Sequence, residues 1–375
     1  MQTMKTAILC AVLLTTAGFL HLLYRSKYAS TRWSESKDDY HMMLDLDNPH
    51  VEGALMQTFE SWAKAHKKIY SSYEERKKRF GLFVESYKRI LHHNSNLKGK
   101  PSSYQLGFTS FADWTDDEFE TKLGFQSKRE CWYVDENAPK VVQEENPLWS
   151  SSTILPKARN WVDEGIVSPV KNQGQCGSCW AFSAIGALEA QYKKKHGKSI
   201  IFSEQQLLDC SQGYGNLGCN GGFPARAFEY IRRSGGLESS QDYPYEMQSN
   251  FSCRFSKSKA ALKIERVVNI TESNERELEY AVAFAGPVTV AFLVPKDFRL
   301  YASGVFTTEE CGVTKPKDLT HAVLVVGYGV SFDGMKYWLV KNSWGELWGM
   351  KGYFMMERGR NLCGISDCAA YAIVS

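Results

Sequence analysis

The sequence has almost no surplus of one charge sign. Lys and Arg number 45 against 42 Asp and Glu, a formal net charge of +3 over 375 residues. Nucleic-acid binding driven by phosphate neutralisation needs a basic excess, so that class is excluded. Proline is scarce at 11 residues, and hydrophobic residues make up 43% against 23% charged, which excludes collagen-like, simple-repeat and disordered chains. Ten cysteines are too few for a disulfide mini-protein at this length, and no close pair is repeated as a zinc finger requires. Apolar runs long enough to span a bilayer are missing after the first 25 or so residues.

What is present begins at the N-terminus. Lys5 precedes an apolar run from Ala7 to Leu23, broken by Thr15, Thr16, Gly18 and His21. This pattern predicts a secretory signal peptide over residues 1–18, with an uncleaved signal anchor as the alternative. Such a chain enters an oxidising lumen, where disulfides persist. Asn250-Phe251-Ser252 and Asn269-Ile270-Thr271 are N-glycosylation sequons consistent with that route, and the Thr-type acceptor Asn269 is favoured over Asn250.

Residues 19–125 form an N-terminal region with helical periodicity. Phe59, Trp62, Ala63 and Tyr70 recur at helical spacing, and Glu75, Arg79, Phe83, Ile90 and Asn94 share a face of a second, charge-rich helix. Residues 126–154 read as an exposed linker, with Pro139, Pro147 and Ser150-Ser151-Ser152. From Leu155-Pro156 glycine, tryptophan and cysteine become frequent, which sets the main domain at 155–375. It reads as α+β, helices early and antiparallel strands late.

Cys176-Gly177-Ser178-Cys179-Trp180 admits a redox pair, half a zinc site, or one structural cysteine beside a reactive one. The third reading fits best, because Cys179 opens an apolar helix predicted from Ser178 to Lys195, with Gly197 as its stop. Unpaired N–H groups and the positive dipole end at a helix N-terminus favour thiolate. A nucleophilic thiol also needs a base and an orienter. A hairpin predicted from strands Ala322–Tyr328 and Tyr337–Lys341, turning at Asp333-Gly334, brings its far ends together, and those ends are His321 and Asn342.

These residues, with Gln173-Gly174-Gln175 and Lys341-Asn342-Ser343-Trp344-Gly345, resemble the papain family of cysteine peptidases over residues 155–375. The resemblance implies a two-lobed fold, one lobe helical around the Cys helix and the other an antiparallel β-barrel-like lobe. It implies Cys179 as nucleophile, His321 as general base and acid, Asn342 as orienter, Trp344 as its shield, and Gln173 as an oxyanion donor. Gly221 and Gly222 would pair with an extended substrate, and Phe223, Pro224, Ala291, Leu319 and Ala322 would line an apolar pocket for its second residue. The implied disulfides are Cys176–Cys219, Cys210–Cys253 and Cys311–Cys363. The helical pattern from Glu75 to Asn94, with Ser86 in place of an Asn, and the Gly107, Phe111, Asp113 pattern, with Thr109 in place of another, resemble the inhibitory pro-domain of such enzymes. That makes the chain a zymogen whose first partner is its own pro-region, released at acid pH. Asn160-Trp161-Val162 departs from the family's usual Asp-Trp-Arg.

Cys363 to Tyr371, Asn269-Ile270-Thr271 and Trp348 to Phe354 further resemble the cathepsin H and aleurain branch. There a pro-fragment stays disulfide-linked and confers aminopeptidase action, which implies a Cys131–Cys368 bond and a retained fragment around Cys131. Other implied partners are peptide or protein substrates and cystatin-type inhibitors, with no cofactor, metal, nucleic acid or stable membrane anchor. The implied destination is the lysosome by the secretory pathway, or secretion. The rival readings are a cathepsin L-like endopeptidase without the fragment, an inactive papain-like binding protein, and a redox or metal protein built on the Cys-x-x-Cys.

Overall fold

The structure, a computed structural model, describes residues 49–97, 104–124 and 154–375. The described residues up to Lys88 and those from Arg89 onward form two compact units. In the first, helix α1 (Pro49–Ala65) and the start of α2 (Tyr73–Ser95) enclose Phe59, whose ring lies 5.4 Å from Phe83 and 5.9 Å from Tyr70. The Glu75–Arg79 pair closes at 2.6 Å along α2, the i,i+4 spacing predicted for it.

In the second unit the N-terminal region continues through β1 (Gln105–Leu106) and a short helix, α3 (Asp116–Glu120), which Thr115 and Glu118 close with a capping box. Strand β2 (Arg159–Asn160) follows, then α4 (Cys179–His196), α5 (Glu204–Cys210) and α6 (Pro224–Ser234). Helix α7 (Glu275–Phe284) lies between β3 (Ile264–Asn269) and β4 (Val288–Phe292). The chain ends in β5 (Tyr301–Ser303), β6 (Val305–Phe306), β7 (His321–Val330), β8 (Lys336–Lys341), β9 (Tyr353–Glu357) and β10 (Ala370–Val374).

The main sheet runs β3-β10-β4-β7-β8-β9-β6, with β2 also on β7. It does not close: β3 and β6 are edges that do not pair with each other, and β6 lies parallel to β9. The β lobe that the resemblance implies is present as an open sheet, antiparallel except for the β6–β9 pair, and not as a closed barrel. The reason is that both faces carry a core. Ala322, Leu324 and Val326 pack into the cluster built on α4 and α6, whereas Val323 and Val325 pack into a second cluster with α7 and an aromatic group around Phe298. Period-2 alternation along β7 sends successive side chains to opposite cores, which makes this strand apolar throughout.

Two of the residues that depart from the resembled motifs are hydrogen-bonded within the fold. Thr109 donates its hydroxyl to Arg299 O at 2.7 Å and accepts from Phe111 N, while Asn160 Oδ1 accepts from Val162 N at 3.0 Å.

Candidate active site

Cys179 is the first residue of α4. Its N-cap, Ser178, makes no side-chain cap; the Ser178 hydroxyl pairs instead with Tyr245 Oη at 2.7 Å. The dipole end of the helix is thus left to the thiol. The other end stops where the sequence predicts, Gly197 taking φ 69° and donating to Lys193 O. The Cys176–Cys219 disulfide and the Gly177 N–Cys219 O bond join the segment before α4 to the 218–222 loop, forming one wall. A Cβ on Gly222 would lie 2.6 Å from Asn216 Oδ1 and 2.7 Å from the Trp180 ring, so only glycine fits that wall.

The start of β7 supplies the next contacts. Ala322 N donates to Cys179 Sγ at 3.4 Å, so the residue that follows His321 touches the thiol. His321 Nε2 meets Asn342 Oδ1 at 2.9 Å, and that oxygen also accepts from Ser343 N. With an amide oxygen as partner, Nε2 carries the hydrogen and the neutral ring keeps Nδ1 as its acceptor. Nδ1 is buried and has no hydrogen bond among the described residues. Trp344 stacks on the imidazole at 4.6 Å and is itself enclosed by Phe111, Phe119 and Trp348.

Gln173 is held on three sides. Its N–H donates to Ser343 O, its Oε1 accepts the Ser343 hydroxyl at 2.6 Å, and its Nε2 donates to Cys176 O at 2.8 Å. The same Nε2 donates to Lys122 O at 2.9 Å. Two residues on, Gly124 O accepts from Gly222 N at 3.0 Å, and the Lys122 ammonium donates to Gly174 O. The segment Lys122–Gly124 therefore lies over the site, running from Gln173 toward Gly222, and Cys179 and His321 are fully buried. Burial pushes the Cys179 thiol up to about 11, against the pull of the Ala322, Gly124 and Trp180 N–H groups and the Lys122 charge. Burial also draws His321 down to about 3; the Asn342 bond opposes this and the Lys122 charge adds to it. In this state both groups are neutral.

Of the residues implied for substrate contact, Phe223, Ala291, Leu319 and Ala322 share one buried cluster with Cys179, and Pro224 opens α6 beside Phe223. The chain also forms Cys176–Cys219, Cys210–Cys253 and Cys311–Cys363. Cys368 is disulfide-bonded as well, and since the other described cysteines pair among themselves or, in Cys179, stay free, its partner is not a described residue. Cys131 lies outside the described residues, as do the signal segment and the linker. Asn250 is exposed and donates its amide to Glu246, whereas the amide atoms of Asn269 are covered and find no hydrogen-bond partner among the described residues. No group of three metal-ligating side chains and no membrane-spanning helix occurs among the described residues.

Sequence reasoning missed Lys122, Gly124, Ser343 and Tyr245. Tyr245 donates to Gln173 O at 2.8 Å as well as pairing with Ser178. Only Ser343 carried a usable signal, its place beside Asn342; the others are set by contacts 51 to 98 residues distant, such as Lys122–Gln173, Tyr245–Gln173 and Gly124–Gly222.

Residues 155–373 match the papain family cysteine protease domain, and residues 59–119 match the cathepsin propeptide inhibitor domain (I29). The chain is 47% identical to the thiol protease aleurain of Arabidopsis thaliana, over 85% of this chain and 84% of the relative. It is 46% identical to a pro-cathepsin H of Medicago truncatula, over 85% and 86%. Among solved structures, a digestive procathepsin L2 of Tenebrio molitor larval midgut superposes with a TM-score of 0.76 at 36% identity, over 85% of this chain and 99% of that one.

Proposed function

We propose, from the premise that the chain belongs to the papain family of cysteine proteases and carries that family's inhibitory propeptide, that Cys179 is its nucleophile and that His321, Asn342 and Gln173 complete the machinery. The observation that carries this reading is the convergence on Cys179 Sγ. The sulfur sits at a helix N-terminus, Ala322 N–H touches it, and the adjacent imidazole is oriented by Asn342 at 2.9 Å. Once uncovered, the thiol proton passes to His321 Nδ1 and the thiolate attacks the peptide carbonyl carbon. The carbonyl π electrons move to oxygen, which meets Gln173 Nε2–H and the Cys179 N–H. His321 returns the proton to the leaving amine and an acyl-enzyme remains. Water, deprotonated by His321, then releases the acid and regenerates the thiol.

The test is Gln173→Ala. Losing one of two oxyanion donors lowers kcat by about 10²–10³ and leaves KM within a few-fold; an undiminished kcat removes the assignment.

Inhibition by the pro-region has a direct physical form, since Lys122 O occupies the Gln173 donor that an oxyanion would use. Acid release fits the ion pairs of Asp116 with Arg89 and Arg299. Burial raises the Asp116 carboxyl, but the Arg89 hydrogen bond and charge, joined by Arg299, outweigh burial and hold it below its usual value. A carboxyl so depressed stabilises the closed state above its ordinary titration range, and that stabilisation is lost as pH falls through the lowered pKa. Cathepsin-like zymogens of this family are generally routed to lysosomes or vacuoles. For this chain the reading is cleavage of the 1–18 signal, glycan-assisted sorting to the lysosome and control by cystatin-type inhibitors.

The finer activity rests on Cys368. Its disulfide partner is not a described cysteine, which leaves Cys10, in the proposed signal segment, and Cys131. A Cys131–Cys368 bond tethers a pro-fragment whose terminal carboxylate binds the substrate's α-amine, giving aminopeptidase action like that of cathepsin H. Non-reducing peptide mapping of the processed enzyme recovers the linked pair, and Cys131→Ser shifts preference from a free-amine dipeptide substrate to its N-blocked twin. A free Cys368, or a parent enzyme that already prefers the blocked substrate, identifies an endopeptidase instead.

A further inference from the structure

Close to the proposed machinery lies a set of buried charges that the chemistry above does not use. Lys171 Nζ bonds Glu189 and Glu204, each at 2.6 Å. Glu189 also accepts Phe202 N–H at 3.0 Å and the hydroxyl of Ser168. Lys341 Nζ completes the chain, donating to Ser168 O at 2.8 Å and Ser168 Oγ at 3.0 Å. Two ammonium groups therefore face two carboxylates, and Glu189, Glu204 and Lys341 are almost inaccessible to solvent. The network borders a cavity of about 20 Å³ whose lining includes Lys171, Glu189, Lys341, Asn342 and Ser343.

Its members come from the elements that carry the site. Lys341 precedes Asn342 at the end of β8, Glu189 lies on the helix that begins with Cys179, and Lys171 is two residues before Gln173. Lys171 O also accepts Gly345 N–H, and Gln173 N–H reaches Ser343 O, so the 168–173 segment is laced to the residues after β8. Deleting one member of a buried charge set leaves its partner uncompensated, which such a set does not tolerate without movement.

We infer that Lys341 is a positioning residue for Asn342. Clamped on Ser168 and through it on Glu189, its ammonium holds the β8 end against the 168–173 segment, and its deprotonation at alkaline pH lets that end move. Glu189 of α4, Glu204 of α5 and Lys171 face it electrostatically; its register partner on β9 is Tyr353, and on β7 it is the apolar Leu324. Burial draws Lys341 down to about 8, Glu189 and Glu204 opposing and Lys171 assisting. A raised pH therefore removes a charge that the two carboxylates need.

The inference rests on the reading of Asn342 as the orienter, so Asn342→Ala is measured beside it. The assay is kcat per titrated active site of the processed enzyme, between pH 5 and 10. Lys341→Met lowers kcat about 10- to 100-fold at pH 6 with KM within twofold, the scale of a small misplacement of reacting groups. Lys341→Arg, which cannot deprotonate, keeps kcat within about threefold at pH 6 and moves the alkaline limb upward, as far as the His321 imidazolium that the mechanism still requires allows. A merely structural role changes the titratable fraction and leaves kcat per site and the pH limb alone. Unchanged kcat per site in Lys341→Met, or an alkaline limb in Lys341→Arg that superposes on the parent's, overturns the inference. Should Lys341→Met yield no folded enzyme, the Lys341→Arg limb decides. Full activity in Asn342→Ala overturns the underlying reading instead, and a loss there with normal Lys341 variants overturns only the inference.

Discussion

At pH 6, iodoacetamide alkylates Cys179 of the processed enzyme at least about a thousand times faster than it alkylates the same thiol in the zymogen. In the closed chain the thiol is pushed up to about 11. Five pH units below that value, thiolate is about one part in 10⁵, and the thiolate is the nucleophile. His321, drawn down to about 3, offers no imidazolium to stabilise it. Burial is the largest cause of both shifts, and the covering segment Lys122–Gly124 contributes to that burial. Removing it leaves the sulfur at the α4 dipole end with a hydrated imidazole beside it. The thiol then falls and the imidazole rises until the ion pair is the stable form. The higher intrinsic nucleophilicity of a high-pKa thiolate recovers part of the difference, which is why the ratio is nearer 10³ than 10⁵. The pH profile is the second readout. The processed enzyme gives a plateau bounded by two titrations, and the zymogen gives only a slow rise toward alkaline pH. Equal alkylation rates in the two forms would show that the cover does not control the thiol. Cys179→Ser in the processed enzyme gives no labelling and no measurable turnover, and residual turnover would place the nucleophile elsewhere.

Gly124→Val breaks latency before any processing. A Cβ at position 124 would stand 1.8 Å from Gly177 O and 2.2 Å from its carbonyl carbon, so no side chain can be admitted while the segment stays seated. Both obstructing atoms are backbone and belong to the wall pinned by Cys176–Cys219, which cannot give way. The segment must lift instead, giving up the Gly222 N–Gly124 O bond and then the Lys122 O–Gln173 Nε2 bond. The measurement is the initial rate at which the unprocessed chain is labelled by a small thiol reagent. The variant reacts within a factor of about ten of the processed enzyme, since both then expose the same thiolate. Gly81→Ala is the control. None of the described residues lies within 4 Å of its Cβ, so it keeps latency while firming α2 by about 0.5–1 kcal/mol. A Gly124→Val zymogen as inert as the parent would place the block outside this contact.

Local features of the fold and site are legible along the primary structure. The apolar helix with Cys179 at its start, the Gly197 stop, and the hairpin whose ends are His321 and Asn342 all follow from periodicity, turn chemistry and chain direction within about 25 residues. The likeness of the motifs then suggested roles for those residues. How distant segments meet depends on the packing of the folded chain. The sheet stays open because each face finds its own core, a matter of which helices cover it and not of strand propensity. Lys122 and Gly124 sit in an unremarkable stretch of pro-region, and their importance comes from a wall some 50 residues away that leaves no room for a Cβ. The Lys171, Glu189, Glu204 and Lys341 network spans 170 positions and read locally as scattered charge. Charge pairing and steric exclusion depend on distance in space, and a one-dimensional pattern carries distance only as far as a single helix or hairpin extends.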